Sequence, residues 1–139
     1  MPQQIRVTVR HHTDTQFEAF VTLHYHLIGT ARPEMDIDVR RATGFDDSLS
    51  SAVCQVLKSE IGAGIQMGLK PASQRGWQVS LVRLGGSIGG ETDLLNIPSA
   101  GFAVAATLAT LQAAGVEDLE AKPRGGFDWD MVSIQVDDS

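Results

Sequence analysis

His24 and His26 lie two residues apart in FVTLHYHLI, and Asp36 and Asp38 lie two apart in MDIDVR. In an extended chain, residues two apart leave the same face. If these segments pair as neighbouring strands about a turn near Ala31, His26 falls opposite Asp36 and His24 opposite Asp38. Two imidazoles and two carboxylates on one face form a ligand set for zinc or another divalent metal. The plainer reading is a pair of cross-strand His–Asp contacts, each contributing from a few tenths to about 1 kcal/mol. No cofactor is expected.

The run LGGSIGGETDLLNIPSAGF, residues 84–102, poses a second question of chemistry. A phosphate-cradling loop ends in Gly-Lys-Ser/Thr, with the lysine reaching the terminal phosphates. This loop ends in Glu91 and Asp93, and neither lysine nor arginine lies between Arg83 and Arg124. The spacing of Gly85, Gly86, Gly89 and Gly90 also fails the dinucleotide fingerprint, so no nucleotide is expected. GAGIQMG, residues 62–68, is a glycine pattern inside a helix and no fingerprint either.

A third group is Arg6, Arg10 and Arg40 with Phe20, all assigned to the polar side of the early strands. Arginines with an aromatic on an open sheet can hold single-stranded nucleic acid. Glu18, Asp36 and Asp38 are interleaved among them, which favours a mixed solvent face with Phe20 marking a contact. His11 and His12 are expected as solvated turn residues beside Asp14. Cys54 is the only cysteine, so no internal disulfide forms, and its place in a helix predicts a buried thiol. Asp46–Asp47 and Asp128–Asp130 suit capping and solvation better than acid–base work.

The elements that position these groups follow from periodicity. QIRVTVR (4–10) alternates strictly, with Ile5, Val7 and Val9 on one side. FEAFVTLHYHLI (17–28) alternates again, with Phe17, Ala19, Val21, Leu23, Tyr25 and Leu27 on one face. MDIDVR (35–40) is a third strand, with Met35, Ile37 and Val39 inward. A helix capped by Asp46 or Asp47 then carries Leu49, Val53, Leu57, Ile61, Ile65 and Leu69 at every fourth position. WQVSLVRL (77–84) is a fourth strand. Pro98 to Ala114 is a second helix of small apolar residues, and Gly115 stops it. WDMVSIQV closes the chain as a strand with Val132, Ile134 and Val136 on one face, and the terminal DDS is expected to fray.

The order βββαβαβ predicts one α+β domain over residues 1–139, a two-layer sandwich. Its sheet is mostly antiparallel, the first three strands form a meander, and two helices cover one face. Seventeen acidic against eleven basic residues give a net charge of −6, which disfavours a chain-wide electrostatic grip on nucleic acid but not a local patch. The start lacks a signal-peptide core and no apolar run is long enough to span a membrane, so a cytoplasmic protein is expected.

The stretch from Phe45 to Gly115 resembles domain IV of bacterial elongation factor G and of the related ribosomal protection proteins. RGWQVSLVRL is similar to the family's Gly-Tyr-Pro-Val and alternating strand, and a glycine-bearing loop follows in both. IPSAGFAVAATLATLQAAG is similar to the family helix with its Ala-Phe-x-x-Ala-Ala core, falling on Gly101, Phe102, Ala105 and Ala106. The resemblance covers about half the chain. It implies an α+β sandwich with a left-handed βαβ crossover, and a non-enzymatic binding module associated with translation. In the family, tip loops reach RNA. Here the corresponding tip, Gly85, Gly86, Ser87, Gly89, Gly90 and Glu91, lacks positive charge and the family's loop histidine, and suits a protein or peptide contact. Protein, ribosome or RNA are the expected partners.

Two other readings stand beside this one. Imidazoleglycerol-phosphate dehydratase is a metal-dependent enzyme of the same fold, although its paired His-rich motifs are missing here. The third reading is an oligomeric structural protein assembled through the face around Phe20 or a free strand edge.

Overall fold

The strict alternation of the N-terminal segments becomes an antiparallel pair. In a computed structural model, which describes residues 3–27, 34–44, 49–69, 76–115 and 128–138, β1 (Gln3–His11) and β2 (Phe17–Leu27) run side by side. Ile5 stands opposite Leu23 and Val7 opposite Val21, and all four are fully buried. The other elements are β3 (Glu34–Asp36), α1 (Val39–Ala42), α2 (Ser51–Leu69), β4 (Trp77–Ile88), β5 (Glu91–Thr92), α3 (Ala100–Ala113) and β6 (Trp129–Asp138). The protein is thus α+β with a mostly antiparallel sheet, and the described residues form three helices. No helix among the described residues is long and apolar enough to cross a membrane.

The expected three-strand meander does not form. The sheet runs β3-β4-β2-β1-β6, with β5 hydrogen-bonded to the end of β4. β4 lies between β2 and β3, antiparallel to the first and parallel to the second. The reason is competition for the centre of the sheet. β4 brings Val79, Leu81 and Leu84, all buried, and is long enough to pair β2 from Phe17 to Leu27. β3 is three residues long and carries Glu34 and Asp36, which suits an edge. The predicted strand over 35–40 ends early because Asp38 accepts a hydrogen bond from the Arg41 backbone N–H at 3.1 Å and caps α1. Val39 is still buried, but from a helical turn.

Two β-bulges shift the inward sets. Thr22 pairs with Arg83 and Leu23 with Leu81, which leaves Val82 as an extra residue. The buried series on β4 therefore passes from Val79 and Leu81 to Leu84. In β6, Thr8 pairs with Ser133 and Val9 with Met131, so Val132 is extra and 43% exposed. Val132 does not share a face with Ile134 and Val136 as the spacing predicts. Of the terminal DDS, Asp137 and Asp138 pair with Gln4 and Gln3, and Ser139 lies outside the described residues.

α2 begins at Ser51, and the Val53 backbone N–H donates to the Ser50 hydroxyl at 3.2 Å. The expected caps Asp46 and Asp47 lie outside the described residues. The four-residue stripe holds: Leu57, Ile61, Ile65 and Leu69 are buried and Val53 partly so, while Leu49 is buried just before the helix. α3 packs against both α2 and the inner face of β1 and β2. Its small side chains permit close approach, and the glycines of GAGIQMG use it. A Cβ on Gly68 would fall 2.6 Å from Thr110 Cβ and 2.9 Å from the Thr107 carbonyl oxygen.

One polar contact is sealed in this core. The Tyr25 and Thr110 hydroxyls share a hydrogen bond of 2.9 Å between β2 and α3, and both residues are buried. Burial pushes the phenol's pKa upward, against a smaller opposing effect of the Thr110 bond. The phenol is a neutral structural group. Tyr25→Phe is expected to cost about 1–2 kcal/mol in urea unfolding, because it strands a buried hydroxyl. Adding Thr110→Val should recover most of that loss, since removing both partners leaves no unpaired group.

Candidate binding surface

The helices cover one face of the sheet, and the other, which no described helix covers, is built in rows. Gln135, Arg6, Thr22 and Arg83 lie abreast on β6, β1, β2 and β4. The next row is Ser133, Thr8, Phe20 and Gly85, and the one beyond it is Asp130, Arg10, Glu18 and Ser87. On the other side lie Asp137, Gln4, His24, Ser80 and Asp36, then His26, Gln78 and Glu34. Hydroxyls and amides dominate the middle, and carboxylates gather towards both ends.

Phe20 is not the free aromatic that its position in a polar series suggests. The Arg6 guanidinium carbon sits 3.9 Å from the ring centroid, and the ring occupies the space where Gly85 has no side chain. A Cβ at Gly85 would come within 2.7 Å of Phe20 Cε1. Phe20 therefore fills a gap in β4, and Arg6 takes a ring face that a base would otherwise stack on. The stack holds the guanidinium in place with its outer side towards solvent.

The four predicted face residues divide. Arg10 donates through Nε (3.2 Å) and Nη2 (2.9 Å) to one Glu18 carboxylate oxygen, so its charge is engaged. Both partners are part-exposed, and the pair contributes at most about 1 kcal/mol. Arg40 is not on the sheet at all. It belongs to α1 and donates to the Leu49 carbonyl at 2.9 Å, tying α1 to the segment before α2. Arg6 remains, joined by Arg83, which the sequence reading missed. Arg83 is exposed and, among the described residues, neither Arg6 nor Arg83 has an ion-pair partner. They flank Thr22, two strand spacings apart, or about 9.5 Å between backbones. An open cleft of about 420 Å³ lined by Arg6, Thr8, Glu18, Phe20, Ser87 and Ser133 lies on the Arg6 side. The bulge at Val82 turns Arg83 onto this face, and no local pattern announces a bulge.

The predicted metal set is not brought together. β4 intervenes, so His24 and Asp36 stand on opposite sides of Ser80, and His26 faces Gln78. Asp36 accepts from Arg41 Nη2 at 3.1 Å, and Asp38 caps α1. Among the described residues, no three or more His, Cys, Asp or Glu side chains converge on a metal position. Cys54 is half-buried rather than buried, beside a polar cleft of about 440 Å³ between α1 and α2.

The glycine loop is mostly strand. Gly85, Gly86 and Ser87 belong to β4 and pair with Phe20, Ala19 and Glu18. Only Gly89 and Gly90 form the tip, with φ of 60° and 88°. Ile88 pairs with Glu91 across them, a two-residue hairpin whose positive φ values require glycine. Gly89 N–H donates to the Gln16 carbonyl at 2.9 Å and joins this tip to the β1–β2 turn. That turn is more structured than a solvated one. His11 Nδ1 accepts from the Asp14 backbone N–H at 3.0 Å, and its ring meets Trp129 edge-on at 5.1 Å. His12 Nδ1 lies 2.7 Å from an Asp130 carboxylate oxygen.

Compared with known proteins, the chain matches no family model, and no curated protein is significantly similar to it in sequence.

Proposed function

We propose that this chain is a non-enzymatic binding module with the fold of elongation factor G domain IV, left-handed crossover included, acting in the cytoplasm. Its partner on this reading is structured RNA on or near the ribosome, held by the open sheet face. The observation that carries the reading is the pair Arg6 and Arg83. Two guanidinium groups without carboxylate partners among the described residues stand at the middle of a hydroxyl- and amide-lined surface, in a chain of net charge −6. Such groups suit phosphate oxygens, which a guanidinium can engage through two parallel hydrogen bonds. The carboxylates towards the two ends, Asp130 and Glu18 on one side and Asp36 and Asp137 on the other, limit the contact to the centre. The parallel β3–α2–β4 unit and the α3 helix with buried Phe102, Ala105 and Ala106 are consistent with the resemblance.

Sedimentation with ribosomes tests this. Two phosphate contacts predict affinity that falls about tenfold between roughly 50 and 200 mM salt. Arg6→Glu with Arg83→Glu should abolish co-sedimentation, while Lys58→Glu, on exposed α2 surface away from this face, should leave it unchanged. Absence of binding at low salt, or binding indifferent to the two arginines, removes the proposal.

A further inference from the structure

We infer that the outer edge of β6 takes up an extended basic peptide as an added strand, independently of any RNA contact on the sheet face. β6 is the last strand of its sheet. It pairs with β1 along one edge from Trp129 to Asp138, and no described strand pairs its other edge. Among the described residues, its outer row of backbone N–H and C=O groups has no strand partner and is a template for an incoming chain. The opposite end of the sheet offers no such template, because β3 is three residues long.

Natural edge strands are kept short or blunted by charge, proline or bulges. β6 is ten residues long without proline, and its bulge at Val132 and its aspartates guard it against uncharged strands while leaving a basic one favoured. It keeps Val132 and Val136 at 43% and 42% exposure, one on each side of the sheet. Val136 stands opposite Ile5 on the helix-bearing face, whereas the bulge sends Val132 to the open face beside Arg6 and Ser133. Apolar contacts are therefore available on both sides of an added strand.

Charge selects the occupant. Residues 128–138 include Asp128, Asp130, Asp137 and Asp138 and no lysine or arginine. A second copy pairing antiparallel about the middle of β6 would bring the acidic start of one strand against the acidic end of the other. Like charges directly opposite destabilise a ladder. A segment with lysine or arginine alternating with β-branched residues sets its cations on the open face, level with Asp130 and Asp137, and its β-branched side chains on the helix-bearing face beside Val136. RNA is repelled by the same carboxylates, which separates this edge from the Arg6–Arg83 surface.

The probe is a fluorescent peptide of about ten alternating lysine and valine residues, matched to the length of β6, with a glutamate-for-lysine peptide as its control. Anisotropy should show saturable binding of the lysine peptide, tighter than its control by about tenfold or more. Amide hydrogen exchange should slow in residues 129–138 and not in β3 or β5. Asp130→Asn with Asp137→Asn should weaken binding about fivefold at low salt, and less at high salt. Equal binding of the two peptides, no binding, or slowing that maps elsewhere overturns the inference. So does a dimer in light scattering whose β6 amides are already protected, because the occupant would then be a second copy.

Discussion

Gly64→Val is expected to destabilise the protein by about 3 kcal/mol, while Gly62→Ala, two residues away on the same helix, is expected to stabilise it by up to about 1 kcal/mol. The opposite signs come from what each new carbon would meet. A Cβ on Gly64 would run into the backbone carbonyl of Ala103 on α3 and lie 3.0 Å from Ala106 Cβ. Gly68, one turn on, meets Thr107 and Thr110 in the same way. The two helices therefore touch almost backbone to backbone along this stripe. A valine there cannot be relieved by a rotamer change, because the obstacle is main chain. The helices must separate and loosen the packing around Ile61, Ile65, Phe102 and Ala105, all of which are fully buried. At Gly62 the nearest atom to an added Cβ is Ile37 Cδ1 at 3.4 Å, an ordinary contact. Alanine there only gains helix propensity. Urea unfolding of the two variants checks the pair; an unchanged midpoint for Gly64→Val would mean that α2 and α3 are not this close.

Phe102→Ala should cost more, about 4 kcal/mol. Phe102 lies near the start of α3 with no exposed surface. It belongs to the core formed by the inner residues of β1, β2 and β4 with those of α2 and α3. A cavity there cannot close easily. The sheet is held by its ladders, and α3 is held against α2 by the glycine contacts just described. In a chain of this length the melting temperature should fall by about 10–15 °C. Phe102→Leu keeps most of the volume and should cost less than about 2 kcal/mol. Calorimetry that found the alanine variant within a few degrees of the parent protein would show that α3 does not enter the core through this residue.

These two residues also show how unevenly the fold could be read in advance. Phe102 was legible from the apolar run around it, and α3 is buried along nearly its whole length. The close approach at Gly64 and Gly68 could be suspected only as a glycine pattern inside a helix, because its partner lies more than thirty residues away in the chain. The candidate surface was less legible still. Arg6 and Phe20 were placed on the correct face by alternation alone. Arg83 reached it through a bulge, and Arg40 left it because Asp38 nucleates a helical turn. The His–Asp set failed for one reason, the insertion of β4 between β2 and β3.

By itself the amino-acid order determined which side chains of β1 and β2 turn inward and which stripe of α2 is buried. Those outcomes depend on the two-residue and 3.6-residue periods of a local backbone, and every residue in the segment votes for them. Only the tertiary structure decided which strands are neighbours, where Val82 and Val132 interrupt the pleat, and that Gly85 to Ser87 remain strand under the Phe20 ring. Each of those outcomes is a contest between distant segments for the centre of one sheet. The winner depends on total burial and fit across the molecule, which no single stretch of sequence carries.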